Sequence, residues 1–273
     1  MPSRRRSITT RSFPPAAPAG AQPSREGGSR RARDEIFARP LPRIEDFHFG
    51  AETATVFDDM LPRSVPFYAE IQGMIGELAA DFVAPGTAVY DLGCSTGTTF
   101  LHIARGLPPD LDIRFVGIDS SEEMLGIARR KLADAAFPWP LDLQCADMNQ
   151  GARIHDASVV LMVLTLQFIR PLAREPLVRS IRDGLKDNGC LILVEKVLAE
   201  DSTFNRLFIQ HYYEMKRRNG YSDLEIAQKR EALENVLIPY RFEENRDLLR
   251  KQGFRHVDVF FKWYNFCGMV ARR

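Results

Sequence analysis

From Val65 to Phe82, Tyr68, Ile71, Ile75, Leu78 and Phe82 recur every three or four residues, predicting one amphipathic helix. Pro85-Gly86 ends it. Short apolar runs then alternate with helical patterns. Strands are predicted at Thr87 to Leu92, Ile113 to Ile118, Leu141 to Cys145, Ser158 to Thr165 and Cys190 to Val197. Helices are predicted between them at Thr98 to Arg105, Ser121 to Leu132 and Leu172 to Leu185. Ser120 or Ser121 caps the second of these, with Glu122 and Glu123 favouring its dipole, and Asn188-Gly189 stops the third. "SVVLMVLT" is apolar almost throughout, as a strand covered on both faces must be. Two or three helices between Ser202 and Arg250 precede two β-like runs, Val257 to Trp263 and Phe266 to Ala271. This order predicts an α/β fold, a doubly wound, mostly parallel sheet of seven strands with extra helices.

The chain has 273 residues, of which 45% are hydrophobic and 27% charged, ordinary for a soluble globular protein. We find no internal repeat, no second folded domain and no apolar run near the ~18 residues a membrane span needs. The net charge of +1 conceals an asymmetry. Residues 1–40 carry nine arginines and three acids; the remainder carries 28 basic and 33 acidic residues. The first segment is also rich in Pro, Ser, Ala and Gly and poor in large apolar residues, so it is expected to be a disordered basic tail. A nucleic-acid-binding arm or a transit peptide is the functional alternative, but Pro14, Pro15 and Pro18 interrupt any amphipathic helix. Residues 41–273 are expected to form the folded domain. Its mildly acidic balance argues against direct nucleic-acid binding. Cys94, Cys145, Cys190 and Cys267 are far apart, with no C-x-x-C pair. That predicts neither a metal site nor a disulfide framework and fits a reducing, cytoplasmic setting.

The chemistry concentrates where the first strand ends, at "YDLGCSTGTTF". Ligands of open α/β sheets sit at the carboxyl ends of strands. Gly93 and Gly97 allow a sharp turn and close backbone approach. The spacing is not G-x-G-x-x-G, and no G-K-[ST] follows, so neither the dinucleotide nor the phosphate-loop pattern applies. The turn is close to the D-x-G-x-G-x-G loop that binds S-adenosylmethionine (SAM), with Ser95 in the middle glycine's place. The second strand ends in Asp119, 22 residues beyond Gly97, where an acid can accept both hydroxyls of an adenosine ribose. The third ends in Asp147-Met148, an acid for an adenine amino group and a side chain for its face. A helix cap or a turn acid would explain either acid alone. Three strand ends in register point to SAM.

The stretches "FDDMLPRSVPFYAEIQGMIGELA", "VYDLGCSTGT", "LTLQFI", "KRRNGYSDLEIAQKREALENVL" and "WYNFCGMVA" closely resemble the bacterial carboxy-S-adenosyl-L-methionine synthases. The resemblance covers about Phe47 to Ala271 and excludes the basic tail. It implies a sheet of the class I methyltransferase type, SAM as a substrate, and prephenate as the carboxyl source. Prephenate becomes phenylpyruvate, and the carboxyl group is captured on the SAM methyl carbon through a sulfonium ylide. The product would serve a separate enzyme that builds 5-oxyacetyl uridine at tRNA wobble positions. A homodimer is implied as well. Carried over by residue, Tyr68, Gly93, Cys94, Ser95, Asp119, Ser120, Asp147 and Met148 match cofactor contacts. Arg230, in "QKRE", matches an arginine that pairs with the product carboxylate. Val163 stands where the family usually has Asn, which removes one polar cofactor contact.

A guanidinium near a cationic sulfonium is repelled, whereas a carboxylated sulfonium offers an anion that Arg230 can grip bidentately. Against this, "SDLEIAQKREALENVL" reads as an amphipathic helix on which Glu225–Lys229 and Arg230–Glu234 are surface pairs. His211, Tyr212, Tyr213 and Tyr221 are candidates to bind a dianion, although an aromatic stripe more often packs. The rival readings are a methyltransferase acting on a small anionic acceptor and a non-catalytic SAM-binding protein.

Overall fold

The computed structural model describes residues 32–273. Helices α1 (Ala51–Ser64) and α2 (Tyr68–Phe82) lead into β1 (Thr87–Leu92), α3 (Thr98–Ala104), β2 (Ile113–Asp119), α4 (Glu122–Asp134) and β3 (Leu141–Cys145). Then come β4 (Ala157–Val163), α5 (Pro171–Gly184), β5 (Leu185–Lys196), α6 (Ser202–Arg218), α7 (Asp223–Ala232), α8 (Phe242–Lys251), β6 (His256–Trp263) and β7 (Phe266–Arg272). The seven strands form one sheet in the order β3-β2-β1-β4-β5-β7-β6. β1 to β5 pair in parallel, and β7 runs antiparallel between β5 and β6. The doubly wound, mostly parallel sheet predicted from alternation is therefore present.

Burial follows from position in the sheet. β1 is buried at every residue and β4 at all but its last, whereas β3, at the edge, is largely half-buried or exposed. One apolar cluster packs residues of β1, β4 and β5 against α5 and α8; a second packs alternate residues of the same strands against α2, α3 and α4. Consecutive residues of a strand point to opposite faces, so the same strands supply both cores. Strand order reverses between β1 and β4, which places the ligand crevice at the carboxyl ends of the strands.

Two boundaries differ from the sequence reading. The predicted helix at 65–82 begins at Tyr68, because Phe67 takes the left-handed conformation (φ 52°) and separates it from α1, which the periodicity did not reveal. Within residues 1–40, residues 1–31 lie outside the described residues. Residues 34–41, however, pack on the folded body, so the boundary at 40 falls too late. Phe37 is buried in a third apolar cluster with Phe47, Val56, Met60 and Ala232. Gln228 Nε2 donates to the carbonyls of Phe37 (3.0 Å) and Arg39 (2.9 Å), and its Oε1 accepts from the Leu41 amide (2.8 Å). Asp34 is buried, accepts from the Tyr221 hydroxyl and lies 3.4 Å from Lys229 Nζ. Arginine-rich composition concealed these few long-range partners.

Removing one partner of a buried ion pair costs about 3–5 kcal/mol. A chain beginning at residue 41 should therefore melt on the order of 6–20 °C below one beginning at residue 32. Equal melting temperatures in calorimetry would show that residues 32–40 contribute nothing.

Candidate functional site

The turn after β1 forms one wall of a mostly apolar cavity of about 350 Å³, within the range of small-molecule sites. Three turn residues adopt the left-handed conformation, Gly93 (φ 84°), Ser95 (φ 52°) and Gly97 (φ 73°). Ser95 does so with a side chain, at a conformational cost that is common beside ligand sites. Gly93 is constrained twice. Besides its φ, a Cβ there would lie 2.7 Å from Thr165 Cγ2 and collide with the Thr165 hydroxyl at the exit of β4.

The Asp119 carboxylate holds the turn. One oxygen accepts from the Ser95 amide and the other from the Ser121 amide, both at 2.9 Å. Each oxygen keeps a further lone pair for a ribose hydroxyl. Burial raises the Asp119 carboxyl, and the backbone amides partly offset this. Ser121 separately caps α4 through Met124, so the capping role falls to the serine and leaves Asp119 for the turn. Asp147 does serve as a turn acid, since its Oδ1 accepts from the Asn149 amide (2.9 Å) and side chain (2.8 Å). Even so, it lines the cavity beside the buried Met148. Opposite lie Tyr68 and, one helical turn on, Gln72. Gln72 is fully buried against the cavity, beside the Tyr68 hydroxyl. These donors and acceptors fit an adenosine with an amino-acid tail.

The exits of β4 and β5 make the far wall. Leu164 is left-handed (φ 59°) and the 3-10 turn Leu166–Phe168 follows it. β5 holds this turn. The buried Glu195 accepts from the Leu166 amide (3.0 Å), and Gln167 Oε1 accepts from the Lys196 amide (3.0 Å). Burial pushes the Glu195 carboxyl up to about 8 despite Arg174. Asp91, at the end of β1, is pushed to about 7 by burial and then by Asp119. Lys196 and Lys229 line the same cavity, and Phe47, Phe49 and Phe57 cover it from the N-terminal side. α1 is tied to the turn where Asp58 Oδ1 accepts from Thr96 Oγ1 (2.7 Å) and Asp58 pairs with Lys131 (2.6 Å).

The fold brings Tyr68, Gly93, Cys94, Ser95, Asp119, Ser120, Asp147 and Met148 to one cavity, and Val163 lines it too. Arg230 lies apart from them within this chain. It is exposed and lines a separate shallow groove with Glu231 and Glu234. Consecutive helical residues differ by about 100° in direction, so α7 turns Lys229 inward and Arg230 outward. The expected surface pairs on this helix are absent from the ion pairs of the described residues, since Glu225 completes a capping box with Ser222 and Lys229 pairs with Asp34. Of the four aromatic candidates, Tyr212 lines the cavity and Tyr213 is half-buried beside it, ring centres 6.1 Å apart; Tyr221 is buried, and His211 stacks on Tyr264 at 4.8 Å. Gln72, Lys196 and Lys229 were missed, since each reads locally as an ordinary helix or strand-end residue. Among the cysteines, Cys94, Cys190 and Cys267 are buried and have raised thiols, while Cys145 is exposed.

Residues 89–189 match the family described as "Methyltransferase domain". The fold is similar to a putative O-methyltransferase from Nostoc punctiforme (TM-score 0.57, 16% identity, 82% of this chain and 59% of that one). It is also similar to human N-acetylserotonin methyltransferase in complex with SAM (TM-score 0.54, 15% identity, 81% and 56%). The chain thus spans rather more than half the length of these two neighbours. Strand order and the matched domain define a class I methyltransferase-like enzyme, and the relatives named next make SAM its ligand. The carboxy-S-adenosyl-L-methionine synthase of Methylococcus capsulatus is 58% identical over 88% of this chain and 99% of its own, and that of Escherichia coli 41% identical over 88% and 96%. The chain belongs to the carboxy-S-adenosyl-L-methionine synthase family.

Gly93→Ala should raise the SAM dissociation constant about tenfold or more by calorimetry, from roughly 1–3 kcal/mol of backbone strain plus the Thr165 collision. Unchanged affinity would remove the turn from the site. Glu195 generates a pH prediction. Its folded value of about 8 lies above an ordinary carboxyl, so the folded state binds the extra proton between about pH 4.5 and 8. Its effect on stability is therefore most favourable in acid and declines as pH rises through that window. Glu195→Gln should flatten the fall in denaturant midpoint between pH 5 and 8; an unaltered slope would exclude Glu195 as its source.

Proposed function

We propose that the protein is a carboxyl-group transferase that makes carboxy-SAM from SAM and prephenate and releases phenylpyruvate. One observation carries this reading. The cavity lined by the turn after β1 is also lined by two lysines, Lys196 at the end of β5 and Lys229 on α7. Ammonium groups there repel a sulfonium substrate considered alone and attract an anionic second substrate or product. Such a wall suits carboxylation of SAM better than methyl transfer from it.

In the proposed reaction, prephenate loses its ring carboxylate as carbon dioxide while the ring hydroxyl departs and the ring becomes aromatic. A proton leaves the SAM methyl group, the resulting carbanion forms the new carbon–carbon bond to carbon dioxide, and proton and hydroxide combine as water. Atoms balance without an oxidant or reductant. Adenosine is held by Asp119, Ser120, Asp147 and Met148, and the amino-acid tail by the turn at Gly93, Cys94 and Ser95 with Tyr68. Val163 contributes no polar contact.

The product's proposed destination is a separate enzyme that modifies tRNA wobble uridine, with no direct nucleic-acid contact by this chain and a cytoplasmic setting. Among the described residues, no helix is long and apolar enough to cross a membrane. Arg230 enters this proposal only through the expected homodimer, where an exposed guanidinium on one copy can meet the cavity of another. On that basis, Arg230→Ala weakens carboxy-SAM binding about ten- to a hundredfold and SAM binding little; equal losses would refute the role.

The deciding experiment incubates purified protein with SAM, with and without prephenate, and analyses the small molecules by mass spectrometry. Carboxy-SAM and phenylpyruvate in equal amounts, dependent on prephenate, are expected. S-adenosylhomocysteine with a methylated acceptor, and no carboxy-SAM, would favour methyl transfer instead.

A further inference from the structure

Behind the far wall of the cavity, three lysines from three elements converge on two tyrosine rings. Lys196, the last residue of β5, places Nζ 4.8 Å from the centre of the Tyr212 ring. Lys216, near the end of α6, lies 5.8 Å from that ring and 4.9 Å from Tyr221. Lys229 of α7 lies 5.7 Å from Tyr221. Lys216 and Lys229 are 4% and 6% exposed.

The carboxylates around them are too few. Asp34 meets Lys229 at 3.4 Å, and Glu225 is buried nearby but engaged by Ser222. Arg63 adds a fourth cation, 4.0 Å from the Tyr221 ring and paired with Asp59. Lys196 has a ring face and, among the described residues, no carboxylate within ion-pair distance, and it opens on the cavity. A cation so placed, in surroundings of low polarity, is a strong anion ligand.

Topology assigns the side of the cavity. The adenosine contacts come from the exits of β1, β2 and β3, on one side of β4, whereas Lys196 leaves β5 on the other side. The anion to be bound therefore belongs to the second substrate. Which of its carboxylates is held follows from the chemistry. Loss of carbon dioxide disperses the charge of the departing carboxylate, so a cation gripping that group stabilises the ground state and slows the step. A cation gripping the carboxylate that stays behind anchors the molecule without that penalty.

We propose that Lys196, supported by Lys216 and Lys229, forms an anion subsite that holds the carboxylate retained by the carboxyl-donating acid, the one that remains in its arylpyruvate product. This rests on the carboxylation reading above. Electrostatics agree with it. Burial lowers Lys196 to about 8, and burial followed by repulsion from Lys229 and Lys196 lowers Lys216 to about 7. A bound carboxylate relieves that repulsion and keeps both amines protonated.

The test uses full-length protein and phenylpyruvate as the probe, because it keeps only the retained carboxylate. Binding of phenylpyruvate should be about ten- to a hundredfold weaker to Lys196→Met than to the parent protein. SAM affinity should change less than twofold, and Lys196→Arg should recover most of the loss. In turnover, Lys196→Met should raise KM for prephenate more than it lowers kcat. Unchanged phenylpyruvate binding, or an equal loss of SAM affinity, would overturn the subsite. A raised kcat would assign Lys196 to the departing carboxylate instead and overturn it as well. If Lys196→Met is poorly folded by circular dichroism, Lys196→Gln serves for the same comparison. Failure of the parent protein to make carboxy-SAM from prephenate would refute the reaction itself, and that outcome is read separately from the effect of the substitution.

Discussion

The site depends on one carboxylate held by two amides. Asp119, at the end of β2, accepts from Ser95 in the neighbouring turn and from Ser121 at the start of α4. Without an acceptor there, the left-handed Ser95 has nothing to fix its amide, and only the Gly93 and Cys94 amides, which donate to the Ile118 carbonyl, still join the exits of β1 and β2. The Asp58–Thr96 contact and the Asp58–Lys131 pair then brace the turn from α1 and α4. A ligand that uses the free lone pairs of Asp119 meets a group already held in place, so little ordering cost is left for the binding step.

The two halves of the cavity solve opposite electrostatic problems. On the adenosine side, burial and then the neighbouring Asp119 raise the proton affinity of the Asp91 carboxyl, in keeping with a cationic ligand. On the other side, ammonium groups gather with, among the described residues, one carboxylate in ion-pair range and two aromatic faces to soften their burial. β4 separates the two regions and contributes Val163 and Leu164 at its end. A ligand pair bearing a sulfonium and a carboxylate matches both halves at once.

What could be read from sequence was local. The turn, Asp119 and Asp147 lie at the ends of strands with strong apolar patterns, and their spacing survives without knowledge of the rest of the chain. The sheet itself followed from the alternation of periods. The lysine side was hidden because it depends on residues far apart, with Asp34 and Lys229 separated by 195 positions and Lys196 adjacent to neither. In "AQKRE" Lys229 and Arg230 look equivalent, and only the rotation of α7 against the body separates them. The same reason conceals residues 34–41, whose arginine-rich surroundings outweighed Asp34 and Phe37 in composition.

The distribution of thiols has a practical meaning. Cys94 sits in the ligand turn but is buried with a raised thiol, so mild alkylating dyes have little thiolate to attack there. Cys145 is exposed at the end of β3, two residues before Asp147, with Sγ 3.7 Å from the Ser120 carbonyl. The unaltered chain thus carries its own single attachment point at the adenosine end of the cavity. A fluorophore placed there would report occupancy from the rim, leaving the cationic wall untouched.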